Sequence, residues 1–351
     1  MSAEDVVRRF LKLLHRHVMD HLRTKIPISL NNIPIRFYFG RPAMWSRKDS
    51  NSFENRILCK AGFGARHADK IITIPEPQAA AYTVFKRHQS EFKVHDRVLI
   101  CDLGGGTAGL SSYYVTSLKP VSLRSIRDGT GFMCGGTAVD RQFYLEMSQI
   151  SGSDWDSIPA TLKGQGSRLM QDFEEVKTKF DGENEISEIK LLGRRINQIL
   201  GKPRSLVVLT PETIRRFFDP VVTQITLLIE RQLEKAKGYR FMNKIVLVGG
   251  LSSSPYVQHK LFGTFNEPDK LKVITTLNPE LAVVRGLVYR GLETRPTGVQ
   301  KSPQFYGIGL GPLGEATTPD QQNKVDSEDD TMEVRERVEW VLSKVGLSSS
   351  L

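Results

Sequence analysis

Apolar side chains recur at Val6, Val7, Phe10, Leu11, Leu14, Val18 and Leu22. That spacing predicts a helix over residues 5–24, and Ser2 with Asp5 offers it a capping box. Pro34–Phe39 predicts a strand. A helical stretch follows Trp45, a short strand spans Ile71–Ile74, and an Ala-rich helix covers 75–88 behind Pro75-Glu76-Pro77. From Arg97 to Val115 the chain is apolar, then glycine-rich, then apolar, which predicts strand, tight turn, strand. A second glycine cluster at 129–136 leads into a helix from Asp140, and 167–181 has helical spacing around Phe173, Val176 and Phe180. Thr210-Pro211-Glu212 joins a cap, a first-turn proline and an acid. The helix it starts is expected to run to about Lys237 and stop at Gly238. Residues 244–258 predict strand, glycine turn, helix, and a last helix runs from Pro279 to Gly291. Beyond Thr294 Gly, Pro, Thr, Asp and Gln dominate, with an acidic run at Asp326–Asp330. That predicts a mostly irregular tail with one more element at 333–345.

The chain has 351 residues, 39% hydrophobic and 25% charged, a length at which chains usually divide into domains. No apolar run reaches the roughly 18 residues of a membrane span. Arg8, Arg9, Lys12 and Arg16 interrupt the first helix, so it does not read as a signal peptide. A soluble, cytoplasmic protein is expected. Cys59, Cys101 and Cys134 lack metal-type or redox-type spacing and are expected to be buried thiols. The net charge is +10, and residues 1–100 carry 18 basic against 9 acidic side chains. No zinc spacing or RNA-binding aromatic signature accompanies this excess, so nucleic acid is not expected as a partner. A basic amphipathic helix can bind membranes, but packing against a sheet is the commoner use, so no membrane partner is expected either.

Asp102-Leu103-Gly104-Gly105-Gly106-Thr107 carries the strongest chemical signal. Three consecutive glycines are entropically costly. A plain hairpin needs one or two, whereas a phosphate cradle uses backbone N–H groups that no Cβ screens. Thr107 adds a hydroxyl, and Asp102, at the strand end, is placed to hold a metal-bound water. Gly249-Gly250 after an apolar strand and Gly135-Gly136 before Asp140 are weaker signals that gain weight from their order. Gly309-x-Gly311-x-x-Gly314 matches a dinucleotide-binding spacing, but no apolar strand precedes it and Thr317-Thr318-Pro319 follows where a helix would start. It reads as a glycine-rich loop.

Taken together, these motifs resemble the ATPase domain of the seventy-kilodalton heat-shock chaperones, relatives of actin and sugar kinases. DLGGGTAG resembles that family's second phosphate motif, and IPEPQAAAY and NPELAVVRG its two connecting helices. GGTAVD resembles its glycine pair, FEEVK its adenosine-clamping helix, and IVLVGGLSSSPYVQ its adenosine motif. The likeness covers about residues 30–293, and its intervening sequence is similar to atypical chaperone-related proteins of filamentous fungi. It implies an α/β, actin-like (ribonuclease H-like), two-lobed ATPase fold. Lobe I would comprise 1–92, with 279–293 returning to it. Lobe II would comprise 93–278 with an inserted subdomain near 141–207, and 294–351 would form a polar tail.

The resemblance also implies ATP or ADP with Mg2+ as ligands, and a possible protein partner or client. Gly104, Gly105, Gly106 and Thr107 would hold the β- and γ-phosphates, Asp102 would sit by the magnesium and Glu76 beside the attacking water. Gly135 and Gly136 would border ribose and phosphates, Glu174 and Lys177 would clamp the nucleoside, and Gly249 and Gly250 would form the other wall. Gly109 stands where the family's phosphate motif ends in Asp, and Ser253 where an Arg faces the adenine. Residues 1–75 contain nothing like the family's first phosphate hairpin, an Asp-x-Gly-Thr turn. The expectation is a first lobe that starts after that hairpin, with weak or absent hydrolysis. The alternatives are a non-catalytic interaction protein on the same fold, a sugar kinase, and a start site placed too late.

Overall fold

The computed structural model describes residues 2–27, 29–30, 33–183, 187–190, 206–236, 242–267, 270–292, 306–312, 336–343 and 346–347. The chain forms two units, Met1–Gly298 and Val299–Leu351.

In the first unit, α1 (Ala3–Lys25) is capped as expected. Ser2 accepts from the Asp5 N–H, and Asp5 accepts from the Ser2 N–H. Next come β1 (Arg36–Arg41) and α2 (Arg47–Ser52), which continues through a π-turn at Phe53–Leu58 into α3 (Cys59–Ala61). Then follow β2 (Lys70–Pro75) and α4 (Glu76–Arg87). β1 and β2 pair in parallel, with Phe37 opposite Ile71 and Gly40 opposite Ile74. Leu11 and Met19 of α1 pack on this pair with Phe37, Ile57, Leu58 and Phe63. Cys59 lies exposed, contrary to expectation, because on this short helix the neighbouring Leu58 takes the inward position.

The second sheet holds β3 (Arg97–Leu103), β4 (Ala108–Leu118), β5 (Val121–Phe132), β8 (Lys244–Val248) and β9 (Lys272–Thr275) in the order β5-β4-β3-β8-β9. β3 runs antiparallel to β4 and parallel to β8. Both faces of β3 are covered, so its apolar run is continuous rather than alternating. Leu99, Cys101 and Leu103 face one core and Val98 and Ile100 the other.

The first core is closed by α5 (Gly136–Ser151), the short α6 (Ser153–Ser157) and α7 (Ala160–Lys163), α8 (Arg168–Lys179), α9 (Pro211–Ala236) and α10 (Pro255–Phe265). A separate hairpin pairs β6 (Ser187–Lys190) with β7 (Leu206–Leu209). Thr210 caps α9 through the Thr213 N–H, while the expected stop at Gly238 lies outside the described residues. The second core is closed by α4 and α11 (Ala282–Leu292). These two helices also reach the two-stranded sheet, where Ala79 and Leu287 pack on Ile74. A Cβ on Gly286 would overlap the Ala79 carbonyl, so the glycine permits this close crossing.

The glycine cluster at 129–136 divides differently from the sequence expectation. Gly129 and Gly131 belong to β5, which pairs with β4, and α5 starts at Gly136 rather than Asp140. Strand pairing outweighs the turn propensity of those glycines.

In the second unit, β10 (Tyr306–Pro312), β11 (Glu336–Ser343) and β12 (Gly346–Leu347) form an antiparallel sheet. Gly309 and Gly311 therefore sit within a strand and not in the expected loop. Gly314 and the acidic run 326–330 lie outside the described residues. Mixed α/β architecture of this kind is consistent with an actin-like, heat-shock-type ATPase fold.

Candidate functional site

β3 ends in Asp102 and Leu103, and the chain turns through Gly104–Thr107 into β4. The Gly104 N–H donates to the Thr107 carbonyl at 2.9 Å and closes the turn. The start of α5 then grips the loop. The Gly136 N–H donates to the Gly104 carbonyl at 3.0 Å, Thr137 to Gly105 at 2.8 Å and Gly135 to Gly106 at 3.3 Å. In a planar trans peptide the C=O of one residue and the N–H of the next point in opposite directions. With those carbonyls turned toward α5, the N–H groups of Gly105, Gly106 and Thr107 point away from it. Gly105 and Gly106 are exposed, and a Cβ on either would meet nothing within 4 Å. The result is an open row of backbone donors, suited to an anion.

Gly135 is required by the same contact. A Cβ there would come within 2.5 Å of the Gly104 and Gly105 carbonyl oxygens. Gly249 follows β8 with φ +88°, a left-handed conformation that favours glycine. A Cβ there would lie 2.6 Å from Asp102 Oδ1, so the second glycine pair abuts the first loop at its acidic end. The Gly249 N–H donates to the Pro279 carbonyl at 2.9 Å, tying this turn to the approach of α11. Gly250 is exposed.

Asp102 is buried, and burial together with the charge of Glu76 pushes its pKa up to about 7. Glu76, the first residue of α4, is half-buried and raised by desolvation. The fold thus brings together two carboxylates 26 positions apart in sequence, and burial without a compensating charge shifts both toward the neutral form. Among the described residues no cluster of three or more His, Cys, Asp or Glu forms a potential metal site.

Glu174 and Lys177 lie on α8. Lys177 is buried, and its Nζ contacts Asp140 Oδ1 at 2.7 Å and Glu174 Oε2 at 2.5 Å. Glu174 remains exposed. Asp140 sits one turn into α5, so the helix that grips the glycine loop also holds Lys177. The sequence flagged Asp140 only as the end of the GGTAVD motif. Its pairing with Lys177 joins positions 37 apart, which no local pattern announces. Gly109 lies opposite Asp102 in the β3–β4 register. The exposed Ser253 donates its hydroxyl to the Gly250 carbonyl at 2.6 Å.

Glu76, Asp102, the 104–107 loop, Gly135-Gly136 and Gly249-Gly250 thus gather at the carboxyl ends of β3 and β8, where open α/β sheets commonly bind ligands.

No protein-family model matches the chain. Its similarities are distant, and they support the broad superfamily of heat-shock 70 kDa and actin-like ATPases. Human heat shock 70 kDa protein 12A is 22% identical over 386 residues, covering 88% of this chain and 56% of the relative. Human heat shock 70 kDa protein 12B is 21% identical over 388 residues, with the same coverage of 88% and 56%. A chaperone protein HscA homolog of Rickettsia typhi is 25% identical over 218 residues, 61% of this chain and 30% of that protein. The chain spans about half the length of the two human relatives. No helix among the described residues is long and apolar enough to cross a membrane.

Proposed function

We propose that the first unit binds ATP or ADP with Mg2+ as a chaperone-related, actin-like ATPase domain, and that this chain hydrolyses ATP weakly or not at all. The observation that carries this reading is the row of outward N–H groups at Gly105, Gly106 and Thr107, beside the Asp102–Glu76 pair. The residues fit the ligands. The space around Gly105 and Gly106 is open, so a phosphate can approach their backbone N–H groups. Two adjacent carboxylates, with phosphate and water, are a usual donor set for Mg2+. Asp102 would hold the ion, which supplies charge neutralisation for the phosphates, and Glu76 would orient water. Gly104–Thr107 would take the β- and γ-phosphates. Gly135 and Gly136 would border the ribose, with Glu174 and Lys177 on one side of the nucleoside and Gly249 and Gly250 on the other. In this reading residues 93–278 form the lobe that binds, and 1–92 with 279–293 form its partner lobe.

Weak turnover follows from the groups facing the phosphate. Gly109 brings no carboxylate opposite Asp102. Loss of one preorganised electrostatic group commonly costs about 10²–10³ in rate. A second reading, a non-catalytic interaction protein on the same fold, is favoured by Lys177, whose ammonium is already engaged by Asp140 and Glu174.

Titration calorimetry with ADP separates the two. Weak binding is expected in the wild type and none in Gly105→Val, with melting little changed because a Cβ at this position meets no protein atom within 4 Å. Equal heats for both proteins would defeat the proposal, and no heat in either would favour the second reading. Single-turnover release of labelled phosphate is expected at background. Release that Glu76→Gln and Asp102→Ala abolish would show catalysis.

A further inference from the structure

A surface helix needs one apolar face, and α1 has two. Leu11 and Met19 are buried against the two-stranded sheet. At 100° per residue, Val6, Phe10 and Leu13 fall on the opposite side of the helix. They are 53%, 62% and 61% exposed. Val7 and Leu14 widen the stripe at 40% and 38% exposure. The exposed Arg9, Lys12 and Arg16 border it on one side. The helix's acids are neutralised where they stand, Asp5 by Arg8, Asp20 by Arg23 and Glu4 by Arg56. Arg9, Lys12 and Arg16 form no ion pair among the described residues.

We propose that α1 docks the protein peripherally on an anionic lipid surface, lying in the plane of the interface. The charge bordering the stripe selects a negatively charged partner. The shape selects lipid over protein, because Phe10 and Leu13 stand out as a ridge and a protein partner would have to supply a matching groove. A bilayer interface accepts such a ridge without shape complementarity, to a depth of roughly 5–10 Å. The basic side chains reach the headgroups while their stems cover the edge of the stripe. The packed face of α1 stays on its sheet throughout, so docking requires no unfolding. Such binding is distinct from crossing a membrane.

The test is flotation of the full chain with vesicles of phosphatidylcholine, with and without phosphatidylserine. Wild type is expected to float with the anionic vesicles alone. The double variant Phe10→Ser, Leu13→Ser is expected to lose about tenfold or more in partitioning, with an unchanged melting curve because both side chains are exposed. Arg9→Gln with Arg16→Gln is expected to lose about fivefold per cation and to show a weaker salt dependence. It carries the test on its own if the apolar variant folds poorly. Absence of wild-type binding to anionic vesicles would overturn the proposal, as would equal binding by wild type and either double variant. A wild-type dimer, indifferent to vesicles, that Phe10→Ser, Leu13→Ser converts to monomer would also overturn it and make the stripe an interface between copies.

Discussion

The two sheets of the first unit differ in closure more than in composition. β3 and β8 have strand neighbours on both edges and a core on each face, and Leu99, Ile100, Val246 and Leu247 are fully buried. Among the described residues β1 and β2 pair only with each other, and Leu11, Phe37 and Ile57 keep 8–9% exposure. The glycine loop belongs to the closed sheet. A loop with almost no side chains cannot hold itself, so its shape is set by the strands on either side and by α5. Glu76 comes from the junction of the two regions, where β2 ends and α4 begins.

Core truncation should separate the two regions most strongly. Phe173 is fully buried and stacks on Phe143 with ring centroids 4.0 Å apart. Phe173→Ala should cost about 3–5 kcal/mol, and Phe37→Ala clearly less, as read from urea midpoints. Equal losses would remove the distinction. The joint between the regions comes next. Gly286→Ala places a methyl group against the Ala79 carbonyl, an overpacking that should cost about 1–3 kcal/mol and split one melting transition into two. A single transition at the wild-type temperature would show that the crossing has slack.

The smallest effect sharpens the site itself. Asp102 titrates near 7 in the fold against about 3.9 unfolded. Between those values the native state holds a proton that the unfolded chain has released, so this group's contribution to stability is greatest at the acidic end and falls as pH rises toward 7. The slope should be at most about 1.4 kcal/mol per pH unit. Asp102→Asn should remove this contribution, read as the difference between wild-type and variant stability across that range, and a difference of opposite sign would refute the burial of this carboxylate.

Local chemistry made much of this legible. The Ser2 and Thr210 caps, the β3–β4 turn and the strand Lys244–Val248 all follow from residues within a few positions of one another. Pairing across distance was not legible. Gly129 and Gly131 read as turn formers, yet their place is set by β4. Gly309 and Gly311 likewise entered a strand because β11 pairs with it. At the site, sequence gave the glycines their meaning. That α5 grips the loop, that Asp140 holds Lys177, and that Glu76 stands near the buried Asp102 are tertiary facts without a local signature. The same applies to α1. Its periodicity announced a buried face, whereas the exposed ridge at Phe10 and Leu13 becomes visible only once the packed side is known.

The crossing of α4 and α11 also sets a timetable for synthesis. Thr83 donates its hydroxyl to the Ala282 carbonyl at 2.6 Å across 199 positions, so this joint cannot form until nearly all of the first unit has left the ribosome. During that interval the apolar face of α4, with Ala80, Tyr82 and Phe85 destined for full burial, has no finished surface to rest on. Contacts so distant in sequence form slowly, and the waiting surfaces are prone to aggregate. The newborn chain would therefore depend on being held by others before its own fold could close.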